Sequence, residues 1–139
     1  MPIGWVCRAV QIVFDKERRA KMLKEIEKIG GSLNHDFSTS VKEVEGLKII
    51  KHLDCCNWLL KADAIINFAK MKTHGMMSLS GSVKNMFGSV PGTIKLEYHY
   101  RYPSHQDFAN MLIDIQEFYK CQLHIVDAIL AMEHIEKER

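Results

Sequence analysis

The sequence predicts an α/β fold, a mostly parallel sheet with flanking helices, and three observations lead there. Two segments, residues 15–29 and the stretch opening at Ser104, carry apolar residues at helical spacing. Two short, nearly continuous apolar runs, residues 64–69 and 123–129, read as strands buried on both faces of a sheet. The order strand, loop, helix, strand is that of a βαβ unit, whose strands run parallel. There is no repeat and no linker, so residues 1–139 read as one domain. With 47% hydrophobic and 26% charged positions, such a chain can bury a core.

The elements follow in chain order. Asp15 can cap the first helix, Leu23, Ile26 and Ile29 form its stripe, and Gly30-Gly31 stops it. Its outer face mixes lysines and glutamates, which reads as a solvated face. Residues 36–50 alternate loosely through Val41, Val44, Leu47, Ile49 and Ile50, which predicts one or two short strands around Gly46. Trp58, Leu59 and Leu60 lead into the apolar run 64–69. A short helix is predicted from Ser78 or Ser80 to Gly88. Ser104-His105-Gln106-Asp107 is a capping box with Asp in place of Glu, and Pro103 keeps any helix from running into it. Phe108, Met111, Leu112, Ile115 and Phe118 then turn one face to a core. The run 123–129 contains His124, expected to be structural, and the charged ending MEHIEKER is expected to fray.

Composition excludes several function classes. The apolar fraction and a formal net charge of only +2 rule out disorder, and no run approaches the roughly 18 apolar residues of a membrane span. The N-terminal MPIGWVCRAVQIVF lacks a basic leader and a small-residue cleavage site, so a soluble, cytoplasmic protein is expected. Cys7, Cys55, Cys56 and Cys121 are scattered, and the only close pair is vicinal, which suits free thiols in a reducing compartment. Nucleic-acid binding is not expected, because the bases are few and no stacking platform accompanies them.

Residues 70–100, KMKTHGMMSLSGSVKNMFGSVPGTIKLEYHY, change the character of the text. Four of the eight glycines fall here, at 75, 81, 88 and 92. Between residues 64 and 106 the bases Lys70, Lys72, Lys84, Lys95 and Arg101 face a single acid, Glu97, a local charge of +4 that leaves −2 for the rest. The bases follow the run 64–69, at its carboxyl end, where open α/β sheets hold their ligands. An anionic small molecule bound between Lys70 and His99 is the reading these residues favour. The other reading is a glycine-rich connection with solvated lysines.

Each candidate has a stated role. Lys70 and Lys72 alternate, so an extended chain points them the same way, as a pinch for a phosphate or carboxylate. Thr73 lies beside them, and Ser80 offers a hydroxyl where the short helix starts. Lys84 and Asn85 lie on that helix, and a desolvated Lys84 would serve as a base or covalent anchor. His74, in a loop between Thr73 and Gly75, is the candidate acid/base. His99, between two tyrosines, is either packed among aromatics or a metal ligand.

The runs ADAIINFAKMKTH, SVKNMFGSVPGTIKLEYH and HIVDAILAME resemble the family called domain of unknown function 362. The resemblance covers the chain from about Gly30 to Glu133 and rests on K-x-K-T-H, V-K-N-x-F-G and K-x-x-x-H. Members of that family are bacterial and archaeal, are usually longer, and many carry a ferredoxin-like iron–sulfur domain elsewhere. The resemblance implies a central fragment of a larger protein, with any iron–sulfur cluster in the part beyond it. The pattern His74…Ser80-Gly81…Lys84…Pro91-Gly92…His99 is more distantly similar to nickel-pincer lactate racemases. There the corresponding roles are proton transfer for His74, attachment of the pincer cofactor for Lys84 and nickel ligation for His99. Ser82 stands where that pattern has a second glycine, and the earlier partner histidine has no counterpart.

Three functional readings follow. The first is a redox-associated α/β domain that binds an anionic small ligand or cofactor. The second is a racemase- or epimerase-like enzyme using His74, Lys84 and His99. The third is a non-catalytic module whose basic loop docks a ferredoxin-like domain. The exposed edges of such a fragment would also allow a homo-oligomer.

Overall fold

The computed structural model describes residues 5–7 and 16–132, and the fold is α/β. The described residues group into two compact units, Met1–Phe37 and Ser38–Arg139. In the first, strand β1 (Trp5–Cys7) and strand β2 (Gly31–Leu33) pair in parallel, with helix α1 (Lys16–Lys28) between them in the chain. Gly30 takes the left-handed conformation, φ +77°, that ends a helix and that a side chain would strain. The predicted cap, Asp15, and the charged ending after Met132 lie outside the described residues.

The second unit opens with an antiparallel hairpin, β3 (Thr39–Glu43) and β4 (His52–Cys56). The predicted strands around Gly46 are therefore displaced. Leu47, Ile49 and Ile50 lie in the connection, where Gly46 turns the chain at φ +78°. The cause is Asp114, 2% exposed on a distant helix. Its Oδ1 accepts the N–H of Lys48 at 3.0 Å, and its Oδ2 accepts those of Ile49 and Ile50 at 2.7 and 2.8 Å. A carboxylate that takes three successive donors leaves none for a strand ladder.

After the one-turn helix α2 (Asn57–Leu60) comes a three-stranded sheet in the order β6 (Ser78–Ser80), β5 (Ile66–His74), β7 (Leu123–Met132). β5 and β7 are parallel, as the βαβ order required, but β6 runs antiparallel to β5. The sheets are thus mixed, not mostly parallel. Of the two runs predicted to be buried on both faces, 64–69 is covered on one and 123–129 on neither. Asn67 and Ala69 are buried on β5 while Ile66 and Phe68 are exposed, and Leu123, Ile125 and Val126 are exposed on β7. The helix α3 (Ser82–Asn85) and the helix α5 (His105–Tyr119) both reach the Asn67 side of the sheet. Ser82 O and Asn85 bond Asn67, and Gln116 Nε2 lies 2.9 Å from His124 Nε2.

The short helix predicted from Ser78 or Ser80 to Gly88 is three pieces: β6, the single turn α3, and a 3-10 turn over Met86–Ser89. Ser78, at φ +57°, sends the chain back along β5 instead of into a helix. Helix α4 (Lys95–Arg101) has no counterpart among the sequence expectations. α5 starts as predicted, with Ser104 Oγ accepting the Asp107 N–H at 3.0 Å. Its buried stripe is Phe108, Met111, Leu112, Ile115 and Tyr119, with Phe118 only partly covered. That stripe packs with Ile50, Leu53, Cys55, Val90 and Tyr98 into the core. Among the described residues no helix is long and apolar enough to cross a membrane.

Candidate functional site

The carboxyl end of β5 brings Lys70, Lys72, Thr73 and His74 to the start of the glycine-rich segment. Strand alternation sends Lys70 to the open face, where its Nζ meets Asp127 Oδ2 at 2.7 Å. The hydrogen bond from Lys70 holds the Asp127 carboxyl below its ordinary range. Lys70 is therefore matched with a carboxylate 57 positions away. Lys72 instead lies directly across from Ser80 in the β5–β6 ladder, and Thr73 lies across from Leu79.

Lys84, on α3, is half-buried. Burial, and after it the ammonium groups of Lys72 and Lys95, push its pKa below the ordinary lysine range. Among the described residues, neither Lys72 nor Lys84 forms an ion pair with a carboxylate. Lys95, a base that sequence reading counted but did not assign to the site, sits with Nζ 5.7 Å above the Phe87 ring centroid. It joins the group because α4 places it there, and only the density of bases in residues 64–106 hinted at it.

Beside these lysines, Ser80 is 5% exposed and its hydroxyl has no hydrogen-bond partner among the described residues. Asn85 is a tether: its Nδ2 donates to Asn67 Oδ1 at 2.7 Å and to Phe68 O at 3.2 Å, which pins α3 to β5. At one turn, α3 is too short to act as an anion-binding helix terminus, as the sequence suggested it would. His74 ends β5, and its Nδ1 accepts the N–H groups of Met76 and Met77 at 3.2 and 3.3 Å. An accepting Nδ1 places the ring proton on Nε2 and uses one face of the imidazole to close the β5–β6 turn.

His99 stacks on Phe108, with ring centroids 4.6 Å apart and 13° between planes, and meets the edge of Phe87 at 5.8 Å. The aromatic packing that the sequence suggested for this residue is made with Phe108 and Phe87. Among the described residues no three His, Cys, Asp or Glu side chains gather as a metal-holding group. His124 is exposed rather than buried, yet its Nδ1 lies 3.1 Å from Asn67 Nδ2, which keeps it in the hydrogen-bonded layer beneath β5.

A second feature escaped sequence reading. An open cleft of about 430 Å³ lies between β4 and α4, lined by Lys51, His52, Asp54, Glu97 and Arg101 among others. Asp54, in that lining, is held by Tyr98, which accepts the Asp54 N–H at 3.1 Å and donates to Asp54 Oδ2 at 3.0 Å, while burial pushes the pKa of the Tyr98 hydroxyl upward. Glu97 and Arg101 pair across one turn of α4. Residues 44 positions apart meet here, and no local pattern announces such a contact.

Residues 13–138 match the family described as domain of unknown function (DUF362). The chain belongs to that family. Among curated proteins, this DUF362 domain is 34% identical over 83 residues to the thylakoid-associated protein sll1697 of Synechocystis sp. (strain ATCC 27184 / PCC 6803 / Kazusa). The match takes in 59% of this chain and 26% of that relative, so the DUF362 chain spans about a quarter of the protein it resembles. No solved structure matches the chain.

Proposed function

We propose that this DUF362 domain binds an anionic small molecule or cofactor through Lys72, Lys84 and Lys95 at the carboxyl end of β5. One observation carries the reading: half-buried Lys84 lies in the field of the Lys72 and Lys95 ammonium groups, and among the described residues neither Lys84 nor Lys72 is ion-paired with a carboxylate. Like charges so placed cost free energy, and an anion among them relieves it. His74, at the end of the same strand, would serve as the acid/base should the ligand undergo chemistry. A parent protein with an iron–sulfur redox domain fits this role, with the ligand held here and electrons delivered from elsewhere.

The test is a set of amide chemical-shift titrations of the full chain with small mono- and dianions at fixed ionic strength. Shifts should concentrate in residues 70–99, and the double variant Lys72→Ala, Lys84→Ala should abolish them. Shifts scattered over the surface, or unchanged in the double variant, would remove the proposal.

A second reading draws on the same depressed lysine. A lysine whose neutral form is favoured is a better nucleophile, as covalent attachment of a pincer-type cofactor in a racemase- or epimerase-like enzyme requires. Intact mass of the protein purified from its native host decides it: added mass on Lys84 supports the enzyme reading, and unmodified lysine ends it.

A further inference from the structure

His124 pairs with Asn67 across the β5–β7 ladder, and its ring meets an amide on each side. Nδ1 lies 3.1 Å from Asn67 Nδ2, and Nε2 lies 2.9 Å from Gln116 Nε2. A neutral imidazole has one lone pair and one N–H, and an imidazolium has two N–H groups, so at least one of these amides must present its oxygen. Asn67, 3% exposed, cannot turn. Its Nδ2 donates to Ser82 O at 2.7 Å, and its Oδ1 accepts from Asn85 Nδ2, which also donates to Phe68 O. Gln116 can turn. Its Oε1 is buried without a partner among the described residues, and exchanging oxygen and nitrogen gives that oxygen the His124 Nε2–H. The network thus admits His124 in one form, neutral with its proton on Nε2.

We propose that protonation of His124 unfastens α3 from β5 and so makes the anion site that carries Lys84 sensitive to pH. For that consequence it rests on the anion-binding reading above; the motion of α3 does not. An imidazolium sets Nδ1–H against the Asn67 NH2, donor against donor. To give that proton an acceptor, Asn67 must turn its Oδ1 to the ring, and its bonds to Ser82 O and from Asn85 break together. α3 has no buried residue and no side-chain cap, so it depends on these bonds and on the one from Asn85 to Phe68 O. Histidine is the side chain whose ordinary charge change falls between pH 5 and 8. No charged side chain is bonded to the ring among the described residues. The charged groups on the elements around it are Glu117 and Lys120 on and at the end of α5, Lys84 on α3, and the pair Lys70–Asp127 on the other face of the sheet.

The test is an NMR titration of the full chain from pH 8 to pH 5 without ligand. It reads the ring nitrogens of each histidine, the backbone amides of Ser82 to Asn85 and the side-chain NH2 groups of Asn67 and Asn85. Wild type is compared with His124→Gln, which keeps an acceptor for Asn67 and cannot charge, and with Gln116→Glu, which gives Nε2–H a charged acceptor. Both substitutions fall at exposed or half-buried positions. The expected result is an Nε2–H tautomer at pH 8 and one midpoint shared by the His124 ring, the Asn67 NH2 and the α3 amides. Exchange of the Asn85 N–H, which bonds Gly81 O, should be at least fivefold faster below that midpoint after correction for the intrinsic effect of pH. His124→Gln should remove the α3 response, and Gln116→Glu should move the ring and α3 together to higher pH.

A ring that titrates while Asn67 and α3 stay unmoved, because the imidazole swings into solvent, overturns the proposal. So does an α3 response that follows His74 or His99, or that persists in His124→Gln. Sulfate, a dianion throughout this range, then reads the site. Between pH 7.5 and pH 5.5 its affinity should fall at least threefold in wild type relative to His124→Gln. Equal pH profiles in the two proteins would overturn the regulation while the anion site stands. If sulfate binds neither protein at either pH, the anion reading falls, and the α3 device is judged by the ligand-free titration alone.

Discussion

Replacing Asp114 by alanine tests the tertiary contact that sets the β3–β4 connection. The carboxylate receives three backbone N–H groups, from Lys48, Ile49 and Ile50, at 2.7 to 3.0 Å. Hydrogen bonds to a charged acceptor contribute about 1.5–3 kcal/mol each, but the three donors differ in what they can do once it is gone. Lys48 is exposed and Ile49 half-buried, so their N–H groups can turn to water. Ile50 is fully buried, and its N–H would be orphaned at the full desolvation cost. The expected loss for Asp114→Ala is therefore about 3–5 kcal/mol, a large share of the roughly 5–15 kcal/mol that holds an ordinary domain.

Asp114→Asn should lose less, about 2 kcal/mol, because its one carbonyl oxygen can keep two of the donors while its NH2 faces the third. The assay is urea denaturation at constant pH, with amide exchange at Ile50 as a local readout. Asp114→Ala should lower the midpoint without changing the slope, and Ile50 should lose its protection. A loss under about 1 kcal/mol with Ile50 still protected would refute the claim that Asp114 takes this segment out of the ladder.

Other substitutions probe separate parts of the molecule. Lys84→Met should raise stability at pH 7 in an anion-free buffer. The folded-state pKa of Lys84 lies below its unfolded value, so the folded chain binds fewer protons there and the penalty, full at neutral pH, fades as pH rises toward about 10.4. Melts at pH 7 and pH 10 should show the gain shrinking, and a gain that grows with pH would contradict this. Tyr98→Phe removes both bonds to Asp54 and should cost about 1–3 kcal/mol in urea, whereas a cost below about 0.5 would mean that water replaces the hydroxyl. Lys120, left-handed at φ +46° where α5 ends, should tolerate glycine with a gain of about 1 kcal/mol, and a loss in thermal melts would show that its side chain contributes more than its backbone costs. Cys55, whose thiol burial pushes up, should resist alkylation in the folded protein and react on unfolding; rapid native labelling would contradict its burial.

Much of the site was legible because its signals are local. The excess of bases over acids in residues 64–106 and the crowding of glycine marked the segment from which the proposed site draws Lys72 and Lys84. The partners of Lys70 and Asn85 were not legible. Lys70 pairs with Asp127 and Asn85 ties α3 to β5, and both partners come from other elements. His99 shows the same limit: its flanking tyrosines were visible, but Phe108, on which it stacks, belongs to α5.

The sequence by itself determined what a few neighbouring residues can settle. Ser104 starts α5, Gly30 ends α1, the order of the segments makes β5 and β7 parallel, and the spaced motifs mark the family. Caps, stops and periodicity act within one or two turns, so they read the same before and after folding. Tertiary structure alone decided that Asp114 would take the N–H groups of Lys48 to Ile50, that β5 would be covered on one face, and that Lys70 but not Lys72 would meet a carboxylate among the described residues. A charge or a donor is satisfied by whatever the fold brings within about 3 Å, and that neighbour can stand sixty positions away in the chain.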